Sequence, residues 1–394
     1  MSTIYDLVII GGGCAGLSLS MELAQIKSKC PDTLILESRE YYQNDRTWCF
    51  WSDKKVTTAY PSQHIWQKMT VSNLDECVVL DCGKTPYHMV SATDFYSVAQ
   101  AMINLKKNIN IEMNSFVVGE PKLVDKIWNI STNNGFIKTR TIVDTRPGSK
   151  PCLDGSTLWQ SFYGQEIECI EPVFNPEILD LMNFLPPHER GASFLYVLPT
   201  SKTRAVIEVT VFGASPLEQQ DLQFDLDVAI AKRVGTSSFK VIRSEHGILP
   251  MGLQNLPMIK DRSYINAGVM AGGARPSTGY AFQRIQAWAK ECANEISISG
   301  FPLGHKSDPY ILQTMDKIFL DVLRREPLKG GIIFYSLFSG AKTASVIRFL
   351  RGKARLFDSL AVVYAMPYLP FIKSAFLLFL RSGRSRLLSL RSTL

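Results

Sequence analysis

IYDLVIIGGGCAG, Ile4 to Gly16, is an apolar run that breaks on three consecutive glycines, with a fourth at Gly16. Downstream, Leu17 to Ile26 places apolar residues at helical spacing, and Thr33-Leu34-Ile35-Leu36 reads as a second strand ending on the acid Glu37. The order strand, glycine turn, helix, strand, acid is the pattern of a dinucleotide-binding unit. Each residue type has a physical task there. Gly11 permits the tight turn and Gly13 lets backbone approach a pyrophosphate at the helix N-terminus. Gly16 lets helix and strand pack closely, and Glu37 is placed to accept hydrogen bonds from a ribose.

The chain has 394 residues, 46% of them hydrophobic, enough for about two domains or one large α/β domain with insertions. No secretion signal is expected, because the N-terminal apolar run leads straight into glycines. The eight cysteines contain no CxxC and the five histidines no HxxxH or HxxH pair, which argues against a disulfide framework and a zinc site. Residues 340–394 carry ten Lys or Arg against one acid, a net +9; subtracting it from the chain's +7 leaves −2 for residues 1–339. The basic tail is interleaved with LFDSLAVVYAMPYLPFIKSAFLLFL, which suits a lipid interface better than a nucleic acid. Lys373, Pro367 and Pro370 interrupt its most apolar part, against a clean membrane-crossing helix. A buried pair of C-terminal helices is the competing reading.

Between Trp51 and Phe239 short β-like runs dominate, among them IEMNSFVVGE, KIWNIST, FIKTRTIVD and SFLYVLP, with turn signals at Asn133-Asn134-Gly135 and Pro186-Pro187. They predict an antiparallel sheet interleaved with the dinucleotide fold. From Phe301 onward the pattern is helical. One further run, RAVIEVT (Arg204–Thr210), holds a carboxylate in a strand. Alternation puts Ala205, Ile207 and Val209 on one face and Val206, Glu208, Thr210 and Phe212 on the other. Glu208 is then either an edge charge facing water or an acid aimed into an apolar surface.

Three later stretches decide between nicotinamide and flavin, and the first, Thr141-Ile142-Val143-Asp144, reads as a strand returning to the nucleotide fold before Thr145-Arg146-Pro147-Gly148. Arg262 to Gly268 reads as a strand ending in glycine, and Met270 to Ala289 as a Pro-Thr-Gly turn opening a helix. Such an element at the far end of the chain, converging with the first glycine turn, resembles the flavoproteins related to aromatic hydroxylases, whose cofactor is FAD. Within that group NDRTWCFW (Asn44–Trp51), HGILPMG (His246–Gly252), GGARPSTGYAF (Gly272–Phe282) and VIEVT around Glu208 together resemble the bacterial lycopene cyclases, over roughly the first three quarters of the chain. Two positions depart from the broader pattern: Asn266-Ala267-Gly268 lacks the Asp of the hydroxylases, and Asp144-Thr145-Arg146-Pro147 replaces an Asp-Gly-Arg-Gly turn.

The resemblance implies an α/β, Rossmann-like FAD-binding fold built from 1–50, 95–150 and 255–300. It implies an interleaved substrate-binding β domain from 51–94 and 151–254, while the pattern, charge and apolar runs of 301–394 themselves predict a helical, basic, membrane-associated region. It implies Gly11, Gly13, Gly16, Glu37, Arg46, Gly268, Pro276, Thr278 and Gly279 at the cofactor, and Glu208 as acid–base catalyst. The reaction implied is redox-neutral ring closure of lycopene or a related linear carotene, with FAD active in its reduced form and NAD(P)H as reductant. The tail's composition predicts a peripheral setting on the cytoplasmic side of a membrane, and no basic helix with polar readout residues is visible, so no nucleic-acid partner is expected. Trp48, Phe50, Trp51, Phe194, Tyr196, Tyr280 and Phe282 are candidates to face a carbocation, or are ordinary core. Read alone, Arg46 is a surface charge, Thr278 a helix cap and Asp94 a helix-start residue. A flavin monooxygenase or prenyl reductase, and a membrane-binding protein with a merely structural nucleotide fold, are the competing functions.

Overall fold

A computed structural model describes residues 3–27, 30–53, 64–146, 157–252 and 261–391, with side chains to Leu380. Pro147, Gly148 and Cys152 lie outside them. The first sheet runs β8 (Ile109–Glu112), β2 (Thr33–Leu36), β1 (Ile4–Ile10), β11 (Gly135–Asp144), β10 (Ile127–Thr132), β9 (Lys122–Val124), with β17 (Tyr264–Asn266) beside the end of β11. Strands β8, β2, β1, β11 and β17 are mutually parallel. Both faces of β1 are covered, which explains its unbroken apolar run. Leu7 and Ile9 pack under α1 (Cys14–Gln25), α2 (Ala92–Asn104) and α4 (Phe282–Ser299); Val8 and Ile10 meet Trp128, Ile130 and Tyr264.

The second sheet has the order β16 (Phe239–Met251), β12 (Leu158–Cys169), β15 (Arg204–Gly213), β14 (Ala192–Pro199), β13 (Ile178–Phe184), β5 (Lys68–Ser72), β6 (Cys77–Asp81). It is not wholly antiparallel as the sequence suggests, because β5 pairs parallel with β13. Strands β5 and β6 form their own hairpin, and a hairpin docked on a distant edge strand is free of the connectivity that makes sequential neighbours antiparallel. One face of this sheet packs Ala205, Ile207, Val209 and Val211 against α3 (Gln219–Val234); the other carries Val206 and Phe212 into the largest core cluster. A short third sheet, β3 (Thr47–Trp51), β7 (Tyr87–Ser91), β4 (His64–Trp66), joins the two.

The C-terminal region is helical: α5 (Tyr310–Arg325), α6 (Gly330–Gly340), α7 (Thr343–Leu350), α8 (Leu356–Ala365) and α9 (Tyr368–Arg391). It is divided in character. Ile333, Phe334 and Leu337 of α6 and Val346, Ile347 and Leu350 of α7 are buried in the core, whereas α8 and α9 expose Phe357, Tyr364, Tyr368, Ile372 and Phe379. Among the described residues no single helix is long and apolar enough to cross a membrane; α8 with the first part of α9 passes such a test only as a pair bent by 111°.

Candidate active site

A cavity of about 810 Å³ lies between the two sheets, roofed by α6 and α7. At one end its wall is the first glycine turn. Gly11 has φ +100°, a conformation that L side chains rarely adopt, and a Cβ there would lie 2.6 Å from Thr145 Oγ1. A Cβ on Gly13 would meet nothing within 4 Å, so this residue leaves open space at the start of α1. Gly16 does not line the cavity; a Cβ there would come within 2.0 Å of Gly11 O, so it sets the approach of α1 to the turn.

Glu37 lines the cavity and is held in place by neighbouring donors. Gly12 N–H donates to Oε2 at 2.8 Å, and the Arg39 backbone N–H and Nε–H donate to Oε1 at 2.8 and 3.0 Å. Burial raises the Glu37 pKa, and the Arg39 and Gly12 donors outweigh it to hold the carboxyl below its ordinary value. Arg39 also lines the cavity and donates to Asp45 and Tyr96. Sequence reasoning missed it.

Close against the turn, where a Cβ would lie 3.4 Å from Ala15 Cβ, Gly268 (φ +89°) donates its N–H to His305 Nε2 at 3.0 Å. Thr278 and Gly279 line the cavity; Pro276 does not, its carbonyl accepting instead from Gly252 N–H. Gly279 (φ +70°) sits against Gln160, whose buried Oε1 has no hydrogen-bond partner among the described residues. The same turn is tied to the C-terminal helices through Arg275. This fully buried guanidinium pairs with Asp316 of α5 at 3.0 Å and donates to the carbonyl of Phe349 in α7, while Ser277 Oγ–H donates to Asp316 at 2.8 Å.

The far wall is the second sheet. Glu208 faces the cavity, buried, with Thr210 Oγ1–H donating to its Oε1 at 2.7 Å. Of its two sequence readings, the water-facing edge charge is excluded, since β15 lies between β12 and β14. Its pKa is pushed up to about 8, first by burial and then by the nearby Glu245 charge, against the opposing pull of Thr210, Arg46 and Arg243. Arg46 lines the cavity and donates to the carbonyl of His246, tying β3 to β16. Trp48, Phe194, Tyr196, Tyr280 and Phe282 line the cavity. Phe50 and Trp51 do not: Phe50 stacks on His88 and Phe282, and Trp51 packs on Tyr87 and Tyr280 in the core. Phe162, Phe334, Phe338 and Glu245, none of them singled out from sequence, complete the wall and roof.

A glycine cradle on a parallel sheet, facing a second sheet across one cavity, is the fold shared with flavoprotein reductases, monooxygenases and halogenases. The geranylgeranyl bacteriochlorophyll reductase-like protein of Thermoplasma acidophilum superposes with a TM-score of 0.62 at 13% identity, over 95% of this chain and 99% of that one. Within that class, the family model described as "Lycopene cyclase protein" matches residues 6–376, and the chain belongs to the lycopene cyclase family. It is 23% identical to the lycopene beta-cyclase of Pantoea ananas over 94% of this chain and 97% of that protein. It is 26% identical to the chloroplastic lycopene beta cyclase of Arabidopsis thaliana over 75% of this chain, spanning 60% of that relative.

Proposed function

We propose that this protein is a flavin-dependent lycopene cyclase that closes a β ring on lycopene or a related linear carotene without net oxidation or reduction. The observation that carries the reading is Glu208: a buried carboxyl, kept protonated up to about pH 8, on an aromatic-lined cavity wall. Membership of the family and the names of the relatives support it.

The residues fit FAD. Gly11 and Gly13 would take the pyrophosphate at the N-terminus of α1, Glu37 would take the ribose, and Gly268, Thr278 and Gly279 would hold the ring edge, with Gln160 Oε1 offering an acceptor. When bound and reduced, with NAD(P)H as the source of electrons, FAD would supply a full negative charge able to stabilise a cation. Glu208 gives its proton to the terminal double bond, leaving a tertiary carbocation that the neighbouring alkene attacks. Loss of a ring proton to the Glu208 carboxylate restores the acid, so substrate and product are isomers. Trp48, Phe194, Tyr196 and Tyr280 present ring faces worth about 0.5–2 kcal/mol each to a cation and offer it no strong nucleophile.

The setting we propose is peripheral, on the cytoplasmic side of a membrane, with the exposed apolar faces of α8 and α9 in the lipid interface and the basic tail toward anionic headgroups. The test of the activity is anaerobic. Enzyme whose flavin has been reduced chemically should cyclise many lycopene molecules per flavin, with the flavin still reduced at the end. Reoxidation in step with product would reject this reading in favour of a reductase, and a requirement for oxygen would favour a monooxygenase.

A further inference from the structure

Strand register brings two buried carboxylates onto one face. Gly164 of β12 is the Cα partner of Glu208 on β15 and of Glu245 on β16, so the row across the sheet reads Tyr196, Glu208, Gly164, Glu245. A Cβ on Gly164 would lie 3.0 Å from Glu208 Cβ and 3.2 Å from its Cγ. The glycine therefore leaves room for the Glu208 side chain beside it, and both acids line the cavity. Glu245 is ion-paired with Arg243 at 2.8 Å and accepts from Thr47 Oγ1–H at 2.9 Å; Arg243 in turn bonds Glu166, which Arg204 also holds. Glu208 has no ion-pair partner among the described residues, its one close polar contact being Thr210. The pair is asymmetric: one carboxylate is anchored by a cation and the other is left bare beside it.

We propose that Glu245, anchored by Arg243 and Thr47, is the positioning residue that keeps the catalytic proton on Glu208 near neutral pH. The inference rests on the reading of Glu208 as the acid. Two like charges sharing one dry site cannot both ionise cheaply, so a charge fixed on Glu245 forces Glu208 to stay neutral and able to donate. The other charged or titratable groups facing Glu208 do not replace Glu245. Arg46 and Arg243 favour the ionised form, while Tyr196 and Tyr87 and the thiol of Cys49 are pushed far up by burial and stay neutral. Phe334 and Phe338 of α6, overhead, carry no charge.

The experiment is the pH profile of cyclisation by flavin-loaded enzyme. In Glu245→Gln the alkaline midpoint should fall by on the order of one pH unit or more, so that activity lost at pH 7.5 returns at pH 5.5, while Glu245→Asp keeps the wild-type midpoint. A merely structural role would lower turnover at every pH and leave the midpoint in place, and that result overturns the proposal. Should Glu245→Gln alone not fold, the double variant Glu245→Gln, Arg243→Met leaves no unpaired charge at the two positions. Its midpoint should also fall, because the Glu245 charge outweighs that of Arg243 at Glu208; an unchanged or raised midpoint is again fatal. Glu208→Gln separates the two ideas. Full activity in that variant sinks the assignment of the acid itself, whereas an inactive Glu208→Gln beside an unshifted Glu245→Gln sinks only the present inference.

Discussion

At the α1 end of the cavity Gly11, Gly13 and Gly268 open backbone to a ligand, with Glu37 and Arg39 at the margin; at the β15 end the wall is side chains, Glu208 and Glu245 among Phe162, Tyr196 and Phe334. The first end works by volume. At the glycines the hydrogen-bonding groups belong to any peptide, and what matters is that nothing projects between them and a ligand. The second works by polarity, through an acid whose proton is held by burial and a neighbouring charge. The two ends should therefore fail in opposite ways: the cradle to an added methyl group, the wall to a change of chemistry at constant shape.

The sharpest way to break that contrast is Glu208→Gln. It conserves shape, so flavin content and folding should be retained, while cyclisation falls by about a thousandfold or more because an amide cannot protonate an alkene. Product measured by chromatography at near wild-type rates would show the wall is not chemical. Next in size is Gly13→Val. A Cβ there meets no protein atom within 4 Å, so the apoprotein should melt close to wild type, but the protein should purify without its yellow colour. Equal flavin occupancy would mean that the cradle does not work by volume.

A smaller effect sharpens the same contrast through pH. Glu208 has a folded-state pKa of about 8 against an ordinary 4.5, so above pH 4.5 the unfolded chain releases a proton that the native state keeps. Burial of this group thus costs nothing below pH 4.5, and its cost grows until it is complete above about pH 8. Glu208→Gln should melt with wild type at pH 4 and several degrees above it at pH 8.5. Equal melting at both values would place the pKa of Glu208 near that of an exposed acid. The smallest effect concerns a surface that belongs to neither end. Phe357→Ser with Tyr364→Ser on the outer face of α8 should weaken binding to anionic vesicles several-fold and leave turnover on detergent-dispersed carotene unchanged, as flotation and assay would show. Removal of everything after Gly340 is not an equivalent test, since it would strip Val346, Ile347, Phe349 and Leu350 from the core.

The contrast also explains which parts could be read in the chain. The cradle is local: strand, turn, helix and acid follow one another from Ile4 to Glu37, and every constraint on them is short-ranged. Glu208 was legible from alternation alone, because Ala205, Ile207 and Val209 had to share a face and pack on something. Glu245 directly precedes the HGILPMG stretch and still escaped, because its partnership with Glu208 depends on how β12 pairs with strands on both sides, far apart in sequence. Phe334 and Phe338 escaped for the same reason, reaching the cavity from a helix more than 100 residues beyond β15. Pro276 was placed at the cofactor with its neighbours Thr278 and Gly279, but the tight turn that carries them inward turns it away. The helix α3 is a different kind of miss: Leu222, Leu226, Ile230 and Val234 show its buried stripe at four-residue spacing, hidden among strands.

Arg275 ties these regions into one equilibrium. Through Asp316 and the Phe349 carbonyl, the turn that presents Thr278 and Gly279 to the cavity is seated on α5 and α7, the helices beneath the exposed apolar surface. Whatever rigidifies that turn from inside also rigidifies the seat of those helices, and thermodynamic reciprocity makes the effect run equally the other way. Cofactor retention and attachment to a surface then become two readings of a single coupling constant. On the proposed peripheral setting, the equilibrium affinity for flavin should be lower off a lipid surface by the same factor by which the affinity for that surface is lower without flavin.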